Sequence, residues 1–411
     1  MKESDPSPRI SVSRWKGSGR PPRLVSALYD LLYSITVVAL LPANALLARL
    51  RKDIKNDRQV LHIGGPVHVL YYAVEALKKE GIRADFLAIG ESPALRNWDH
   101  HFVPSVIPML RVFQEFRLVW SVVAKYEIIH AHVMTTATKS GWELPFLKRM
   151  GRKLVIHFRG CEARDRELNM RLFPVGSICE ACDYGPDFAC QSKRTTTRRR
   201  MSLKYGDRFV VTTPDMLDFV PNGVHLPFFA FEPTNYQSPP REERAATDPF
   251  RIFHVTTHPG IEGTEEIRVV IERLRMRGFN IEFVFLQNVP YESALEECRK
   301  CDMSIGKMKM GYYANAQIES MLCGVPAITY VREQFMTDEL RQSGFIFTDM
   351  AQLEETIEYY LTHPEALSEK RRQARSSVIR LHDNKAISRQ LTEIYAGMSQ
   401  ASCTAETGKG K

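Results

Sequence analysis

Twice along the chain, short apolar runs alternate with stretches of helical period, and that pattern leaves few folds open. From Gln59 the order is "QVLHI", then Gly64-Gly65-Pro66, then Val67, Leu70, Tyr71, Val74 and Leu77 at i, i+3, i+4, i+7 and i+10. The first run reads as a buried strand and the spaced set as one face of a helix. Pro66 suits the first helical position and Gly81 the C-terminal cap. "ADFLAIG", "EIIHAHV", "KLVIHF" and "RFVVTT" continue as strands, with a short helix over 142–150. Residues 231–249 are proline-rich and polar, and read as a linker. The alternation then restarts: strand "RIFHVTT", helix 265–276, strand "IEFVFLQ", helix 291–300, strand "MSIGKM", helix 314–322, strand "PAITYV". Strand–helix–strand alternation predicts parallel, doubly wound sheets with helices on both faces.

The fold class is therefore α/β, with two Rossmann-like domains facing a cleft. The first covers 58–230, with an insertion over 161–200 that holds most of the clustered cysteines; the second covers 250–382. A last helix over 383–400 follows, and the small, polar tail at 401–411 is expected to be disordered. A chain of 411 residues can supply two full cores. Ligands of such folds bind at the carboxyl ends of the strands.

Residues 1–57 are different. They carry ten Lys/Arg against five Asp/Glu, and residues 1–22 read as disordered. Residues 31–48, "LLYSITVVALLPANALLA", are eighteen residues without a charge. As a helix they span about 27 Å, just short of a hydrocarbon core. Pro42 predicts a kink. Three readings stand: a membrane anchor, spanning or re-entrant at Pro42; a helix lying in the interface with its Arg residues on headgroups; or a signal peptide, against which the long segment before it and Asp30 argue. Basic residues on both flanks leave the orientation open.

The net charge of +8 is clustered. A second basic run, "KRTTTRRRMSLK" at 193–204, has six basic residues and no acidic one. Clusters of this kind suit a phospholipid surface or a phosphorylated substrate, and a solvated helix face explains the run equally well. A single-strand nucleic-acid binder would interleave aromatics, and "TTTRRR" has none. Nucleic acid is therefore not an expected partner. Eight cysteines at irregular spacings do not form a secreted disulfide framework, so a reduced compartment is expected.

Chemistry is expected at strand–helix junctions, where free N–H groups face anions. At "HIGGP", Gly64 and Gly65 let the backbone approach a ligand, and a tight turn explains them as well. The run 311–326, "GYYANAQIESMLCGVP", says more: a glycine loop opens a helix that carries Glu319 and ends at Gly324 and Pro326. Here the sequence resembles the glycosyltransferases of family 4, which have the GT-B fold. Their signature is two glutamates eight positions apart before an A-x-x-G-x-P ending. Glu319 matches the second, which in the family binds ribose hydroxyls; the first falls on Gly311. "RIFHVTTHPGIEGTEEI", "ALEECRKCDMSI", "IIHAHV", "LVIHFRGCEAR", "FVVTTPDMLDFVPNGV" and "LHDNKAISRQLTEIYAGM" resemble further elements of that family, over residues 58–398 without the cysteine insertion.

The resemblance implies a nucleotide-sugar donor, Glu319 on its ribose, and Gly311 and Tyr312 at the opening of the same helix. It implies a retaining hexosyl transfer to a glycan or lipid-linked acceptor, in cell-surface polysaccharide or glycolipid synthesis; with the apolar basic segment and the reduced thiols, the expected place is the cytoplasmic face of the membrane. Helix N-termini and cations can stabilise a leaving diphosphate without a divalent metal, so no catalytic metal is expected. Thr264 is read as an N-cap at one such start. The family's lysine before that glycine is Glu262 here, followed by Glu265 and Glu266. Lys307 and Lys309 are the replacements read for the diphosphate. His132 and His157, at strand ends, and Arg159 are read as the catalytic set facing the cleft, near the acceptor, with Glu162 beside them; a strand-end histidine can equally be a packing residue.

Cys298, Cys301 and Cys323 fall at core positions of helices. Cys179, Cys182 and Cys190 lie in the insertion, "CEACDYGPDFAC". C-x2-C is a knuckle spacing for a tetrahedral zinc, with Cys161 or His157 as the fourth ligand. A redox pair or free thiols are the other readings. Two rival functions remain: a non-catalytic GT-B-like protein that binds a glycan or partner, which Gly311 and Glu262 would favour, and a nucleotide-sugar epimerase, which needs no acceptor.

Overall fold

The computed structural model describes residues 23–51, 58–91, 97–173, 176–184, 190, 193–227, 236 and 247–406. The expected disordered start at 1–22 and nearly all of the linker at 231–249 lie outside these residues. Largely apolar strands pair in parallel because helices cover both of their faces. In the first sheet β1 (Arg58–Gly64), β2 (Ala84–Ile89), β3 (His100–Phe102), β4 (Tyr126–His132), β5 (Lys153–Phe158), β6 (Arg208–Val211) and β7 (Gly223–His225) lie in the order β3-β2-β1-β4-β5-β6-β7, every pair parallel. In the second, β8 (Phe250–Thr256), β9 (Ile281–Gln287), β10 (Met303–Ile305), β11 (Ala327–Thr329) and β12 (Ile346–Phe347) lie in the order β12-β11-β10-β8-β9, also parallel. The strand order reverses between β1 and β4 and between β8 and β10. Those two switch points are where doubly wound sheets open a crevice for ligands.

The helices around the first sheet are α1 (Arg23–Leu50), α2 (His68–Lys79), α3 (Pro108–Ser121), α4 (Leu144–Arg149), α5 (Arg166–Leu172) and α6 (Lys193–Tyr205). Those of the second half are α7 (Pro259–Glu262), α8 (Thr264–Met276), α9 (Tyr291–Arg299), α10 (Asn315–Leu322), α11 (Asp338–Arg341), α12 (Leu353–Thr362), α13 (Pro364–Leu381) and α14 (Asn384–Glu406). Two starts differ from expectation. α2 begins at His68 and not at Pro66, because a tight turn from Val67 N–H to the Gly65 carbonyl, 2.9 Å, comes first. α8 is capped by Gly263 in a left-handed conformation, φ 81°, and Thr264 is its first residue. Gly81 does close α2, with φ 81°.

α14 continues to Glu406, past the expected start of the disordered tail. Its Ile387, Leu391, Tyr395 and Met398 pack in one core with Val60, Leu70, Val74 and Leu77 of the first domain. Each such side chain contributes roughly 1.5–3 kcal/mol by burial. α14 therefore belongs, through Met398, to the first domain's interior.

α1 runs through Pro42 without interruption and is long and apolar enough to cross a membrane by length and composition. One face is docked, however. Tyr33, Asn44 and Ala48 are buried against α3 and α4. The Tyr33 hydroxyl donates to Glu115 Oε2 at 2.6 Å, and the Trp120 indole N–H donates to Asn44 Oδ1 at 2.8 Å. Glu115 is fully buried and also accepts from Arg111 and from the Lys139 N–H, at 2.8 and 3.0 Å. The opposite face, with Leu24, Leu28, Leu31, Ile35 and Val38, is exposed. One face of α1 is thus held by the domain it packs on, while most of the helix surface stays open. Asn44→Ala leaves the Trp120 N–H without its acceptor, and is expected to lower stability by about 1–3 kcal/mol. An unchanged urea midpoint would show that α1 does not dock.

Candidate active site

A cavity of about 900 Å³ opens at the carboxyl ends of both sheets. Val133, Met134 and Thr135 follow β4, and Arg159, Cys161 and Glu162 follow β5. From the other side come Thr256 and Thr257 at the end of β8, Asn288 after β9, Lys307 after β10, and Asn315 and Glu319 of α10. Thr195 and Arg198 of α6 complete the wall. The basic run is therefore not only a solvated face: Arg198 reaches the cavity, and its Nε donates to the Lys139 carbonyl at 3.1 Å. A smaller cavity of about 480 Å³ between α2 and the start of α14 touches no strand end.

Backbone strain marks the large cavity independently. Among the described residues, the non-glycine residues with a left-handed backbone are Val133, Met134, Asn288 and Lys307, with φ of 53–56°. All four line this cavity. Each conformation costs on the order of 1–3 kcal/mol, and a β-branched residue such as Val133 is among the worst placed there. Strain of this kind persists where surrounding structure holds a functional surface in shape.

The acidic run that opposed anion binding is largely neutralised. Glu262 is buried and pairs with the Lys307 ammonium, and it also accepts the Lys307 N–H at 3.2 Å. Glu266 pairs with Lys309, and Glu265 points to solvent. Lys307 faces the cavity, whereas Lys309 is not on its wall. Burial lowers the Arg159 guanidinium to about 10, with Glu162 opposing the shift. Enclosure raises the Glu319 carboxyl to about 8; Cys323 adds to this, and a hydrogen bond from Tyr291 opposes it.

Several expected site residues have other work. Gly311 has φ 82°, and a Cβ there would lie 2.9 Å from the Arg332 side chain. The space lets Arg332 reach Asp218 of the first domain, at 2.8 Å. Tyr312 is buried between His225 and Tyr313. Thr264 is buried and bonded through Oγ1 to His254 Nε2 at 2.8 Å. A Cβ on Gly64 would sit 2.3 Å from Leu70 Cδ2 and 3.3 Å from His132 Cβ, so this glycine serves close packing; Gly65 has open space around it. Neither lines the cavity. His132 and His157 do not face the cleft as expected. Parallel register sets His62 beside His130 and His132 beside His157, and all four are buried together. Burial brings His62 down to about 3 and the others well below the usual range, and their mutual repulsion and the Arg159 charge add to this for His130, His132 and His157.

Cys298, Cys301 and Cys323 are core residues, as expected. Cys161, Cys179, Cys182 and Cys190 gather at the rim, where burial first and the neighbouring thiols second push Cys161, Cys179 and Cys190 up, Cys179 to about 11. Among the described residues, the ligand set whose atoms all lie within 4.8 Å is His62, His130 and His132; no three of the thiols are that close. The cysteine turn also bridges the cleft. Ile178 and Cys179 pack on Ile261 of α7. Asp183 lies 3.5 Å from His258 Nδ1 and accepts the Gly260 N–H at 3.4 Å, and the Tyr184 and His258 rings are 3.7 Å apart.

No family model matches the sequence, and no curated protein matches it. Solved structures do. A structure of Anabaena Alr3699/HepE in complex with UDP-glucose aligns with TM-score 0.54 at 11% identity, covering 82% of this chain and 99% of that one. Sucrose-phosphate synthase from Thermosynechococcus elongatus aligns with TM-score 0.56 at 14% identity, covering 84% and 100%. A Thermobaculum terrenum O-GlcNAc transferase mutant aligns with TM-score 0.51 at 12% identity, covering 86% and 70%. At these identities the likeness is one of fold, and the fold is GT-B.

Proposed function

We propose that this GT-B chain is a glycosyltransferase that takes a hexosyl group from a nucleotide-sugar donor, with retention, and passes it to a glycan or lipid-linked acceptor in cell-surface polysaccharide or glycolipid synthesis. One observation carries the reading: the left-handed non-glycine residues and Glu319 converge on one cavity between the two switch points. A ribose bridges its hydroxyls to the Glu319 carboxylate. The diphosphate lies toward the N-terminus of α10 and draws Lys307 from Glu262, so charge developing on the leaving group meets a cation already in place. Structures of similar fold hold UDP-glucose, or UDP and glucose, which supports the donor class. Gly311 and Glu262 no longer favour a non-catalytic protein, since each has a structural role across or beside the cleft.

The acceptor side suits a membrane surface. α1 packs on α3, and beside its own exposed stripe the start of α3 and the residues before it also expose Val106, Ile107, Met109, Leu110 and Phe113 to solvent, which gives the first domain a large exposed apolar content. The protein then sits peripherally on the cytoplasmic face, its apolar stripe in the interface. One structural zinc is held by Cys161, Cys179, Cys182 and Cys190; the ion draws the turn together and offsets the mutual repulsion of the thiolates it binds. The deciding experiment titrates the protein with UDP-, GDP- and ADP-sugars, then follows nucleotide diphosphate release with membrane extract as acceptor. Binding and acceptor-dependent release are expected for one donor. No binding at millimolar concentration sinks the transferase; interconversion of the sugar without an acceptor makes it an epimerase.

A further inference from the structure

On the first-domain side of the cavity one cation stands without a counter-charge. Arg159, directly after β5, lies on the wall. Among the described residues its guanidinium has no hydrogen-bond or ion-pair partner, and its nitrogens are not sealed from solvent, so they open on the cavity. The nearby carboxylate, Glu162, accepts the Arg159 backbone N–H instead. His130, His132 and His157 feel the Arg159 charge, but burial first of all holds them neutral, so they offset nothing. Other charges of the wall are matched. Arg164 donates to Asp215 Oδ2 at 2.6 and 3.0 Å, and Lys307 pairs with Glu262. Glu319 keeps its proton below about pH 8. An enclosed cation without a partner is costly, and an anion that arrives there relieves the cost.

A second guanidinium reaches the same wall from another element. Arg198 of α6 lines the cavity, and its Nε donates to the Lys139 carbonyl at 3.1 Å. The Lys139 ammonium pairs with Asp30 of α1 and lies 4.2 Å from the Tyr29 ring centroid. Met201 and Tyr205 of α6 pack in one core with Tyr33 and Ala48 of α1. A single residue, Lys139, therefore links Arg198 to the turn of α1 that exposes Leu28, Leu31 and Leu32. A cationic wall so close to exposed apolar side chains matches a ligand with an anionic head and an apolar tail. Two guanidinium forks from two elements also suit a tetrahedral phosphate, whose oxygens point several ways, better than a planar carboxylate.

We propose that Arg159 and Arg198 form the receptor for the phosphate of a lipid-linked acceptor, whose apolar tail leaves the cavity past Lys139 toward α1. The donor diphosphate is met from the second domain, by Lys307 and α10, so these two arginines are left for the other substrate. The naming of that substrate as acceptor rests on the transferase reading; the anion site does not.

The test is calorimetric titration of full-length, UDP-saturated protein with dodecyl phosphate, octyl phosphate, inorganic phosphate, the neutral dodecyl glucoside and trigalacturonate, the alkyl probes below their micellar concentrations. Affinity is expected to fall from dodecyl to octyl to inorganic phosphate, with dodecyl glucoside about tenfold weaker than dodecyl phosphate. Arg159→Gln is expected to weaken dodecyl phosphate binding about tenfold, to leave UDP affinity within twofold, and to leave the urea midpoint unchanged or raised, since it removes an enclosed, unpaired charge. Should Arg159→Gln not fold, Arg198→Gln takes its place with the same expected loss. Dodecyl phosphate that binds no better than dodecyl glucoside, or that binds equally well to the variant, overturns the proposal. So does an equal loss of UDP affinity in the variant, which would give Arg159 to the donor. Inorganic phosphate as tight as dodecyl phosphate would remove the lipid, and tighter binding of trigalacturonate would make the ligand an acidic glycan; either result also overturns it. Failure of the transferase reading shows separately, as Arg159-dependent binding of dodecyl phosphate in a protein that binds no nucleotide or nucleotide sugar.

Discussion

Glu319→Gln is expected to raise stability at pH 8 and to abolish nucleotide-sugar binding in the same protein. The carboxyl titrates at about 8 in the fold, against 4.5 in the open, chiefly because it is enclosed. The folded state therefore holds its proton across that window while the unfolded chain releases it. Stability from this group is highest at or below pH 4.5, falls as pH rises toward 8, and is flat above. Glutamine mimics the neutral form, so the gain over wild type grows across the same window and reaches on the order of a few kcal/mol. Binding runs the other way. Ribose hydroxyls donate best to a carboxylate, so donor binding expels the proton, and affinity rises with pH up to about 8. Losing two charge-assisted bonds should weaken binding about 100-fold or more. Calorimetry in buffers of different ionisation enthalpy reads the released proton. A Kd within threefold of wild type would remove Glu319 from the site.

Gly260→Ala should open the cleft without unfolding either domain. Gly260 lies in α7 at a backbone conformation that alanine adopts freely, so the substitution carries no local strain. Its Cβ, however, would lie 1.9 Å from the Ala181 carbonyl oxygen of the cysteine turn. That atom is backbone and cannot swing aside. The turn must lift from α7, taking with it the Asp183 and Tyr184 contacts to His258 and the packing of Ile178 on Ile261. Donor affinity is expected to fall about tenfold or more, and the radius of gyration from X-ray scattering to rise. If one zinc holds the turn, chelation in wild type gives the same opening, and chelating the variant adds little, since both act on one contact. Elemental analysis without zinc, with chelator inert, would separate the contact from the metal. An unchanged scattering curve and Kd in Gly260→Ala would show that the turn does not hold the cleft.

Element order and type were legible because buried parallel strands and amphipathic helices leave different periods in the sequence, and the doubly wound rule then located the cleft. Side-chain direction was less so. His132 and His157 were rightly placed at strand ends, yet in a sheet covered on both faces a strand-end side chain can turn inward, and only the register of β1, β4 and β5 shows four histidines meeting. Gly311 read as a missing ligand because the partner that needs its space, Arg332, is distant in sequence and its target, Asp218, lies in the other domain. The part played by Arg198 was hidden for a similar reason: a charge run says nothing of where an inserted helix docks. α1 carried a usable signal. Tyr33, Thr36 and Asn44 recur on one face of an otherwise apolar run, and they mark the docked side.

The seating of α14 has a consequence for synthesis. The first domain's core includes Leu226 and, from the chain's end, Ile387, Leu391, Tyr395 and Met398. A ribosome working at about 5–20 residues per second needs on the order of ten to thirty seconds to travel between them. Through that interval the nascent first domain has strands and helices in place but an open apolar groove along α2. Chaperone occupancy on stalled nascent chains should therefore persist after the first sheet is complete, and fall only once α14 is free of the ribosome and seated.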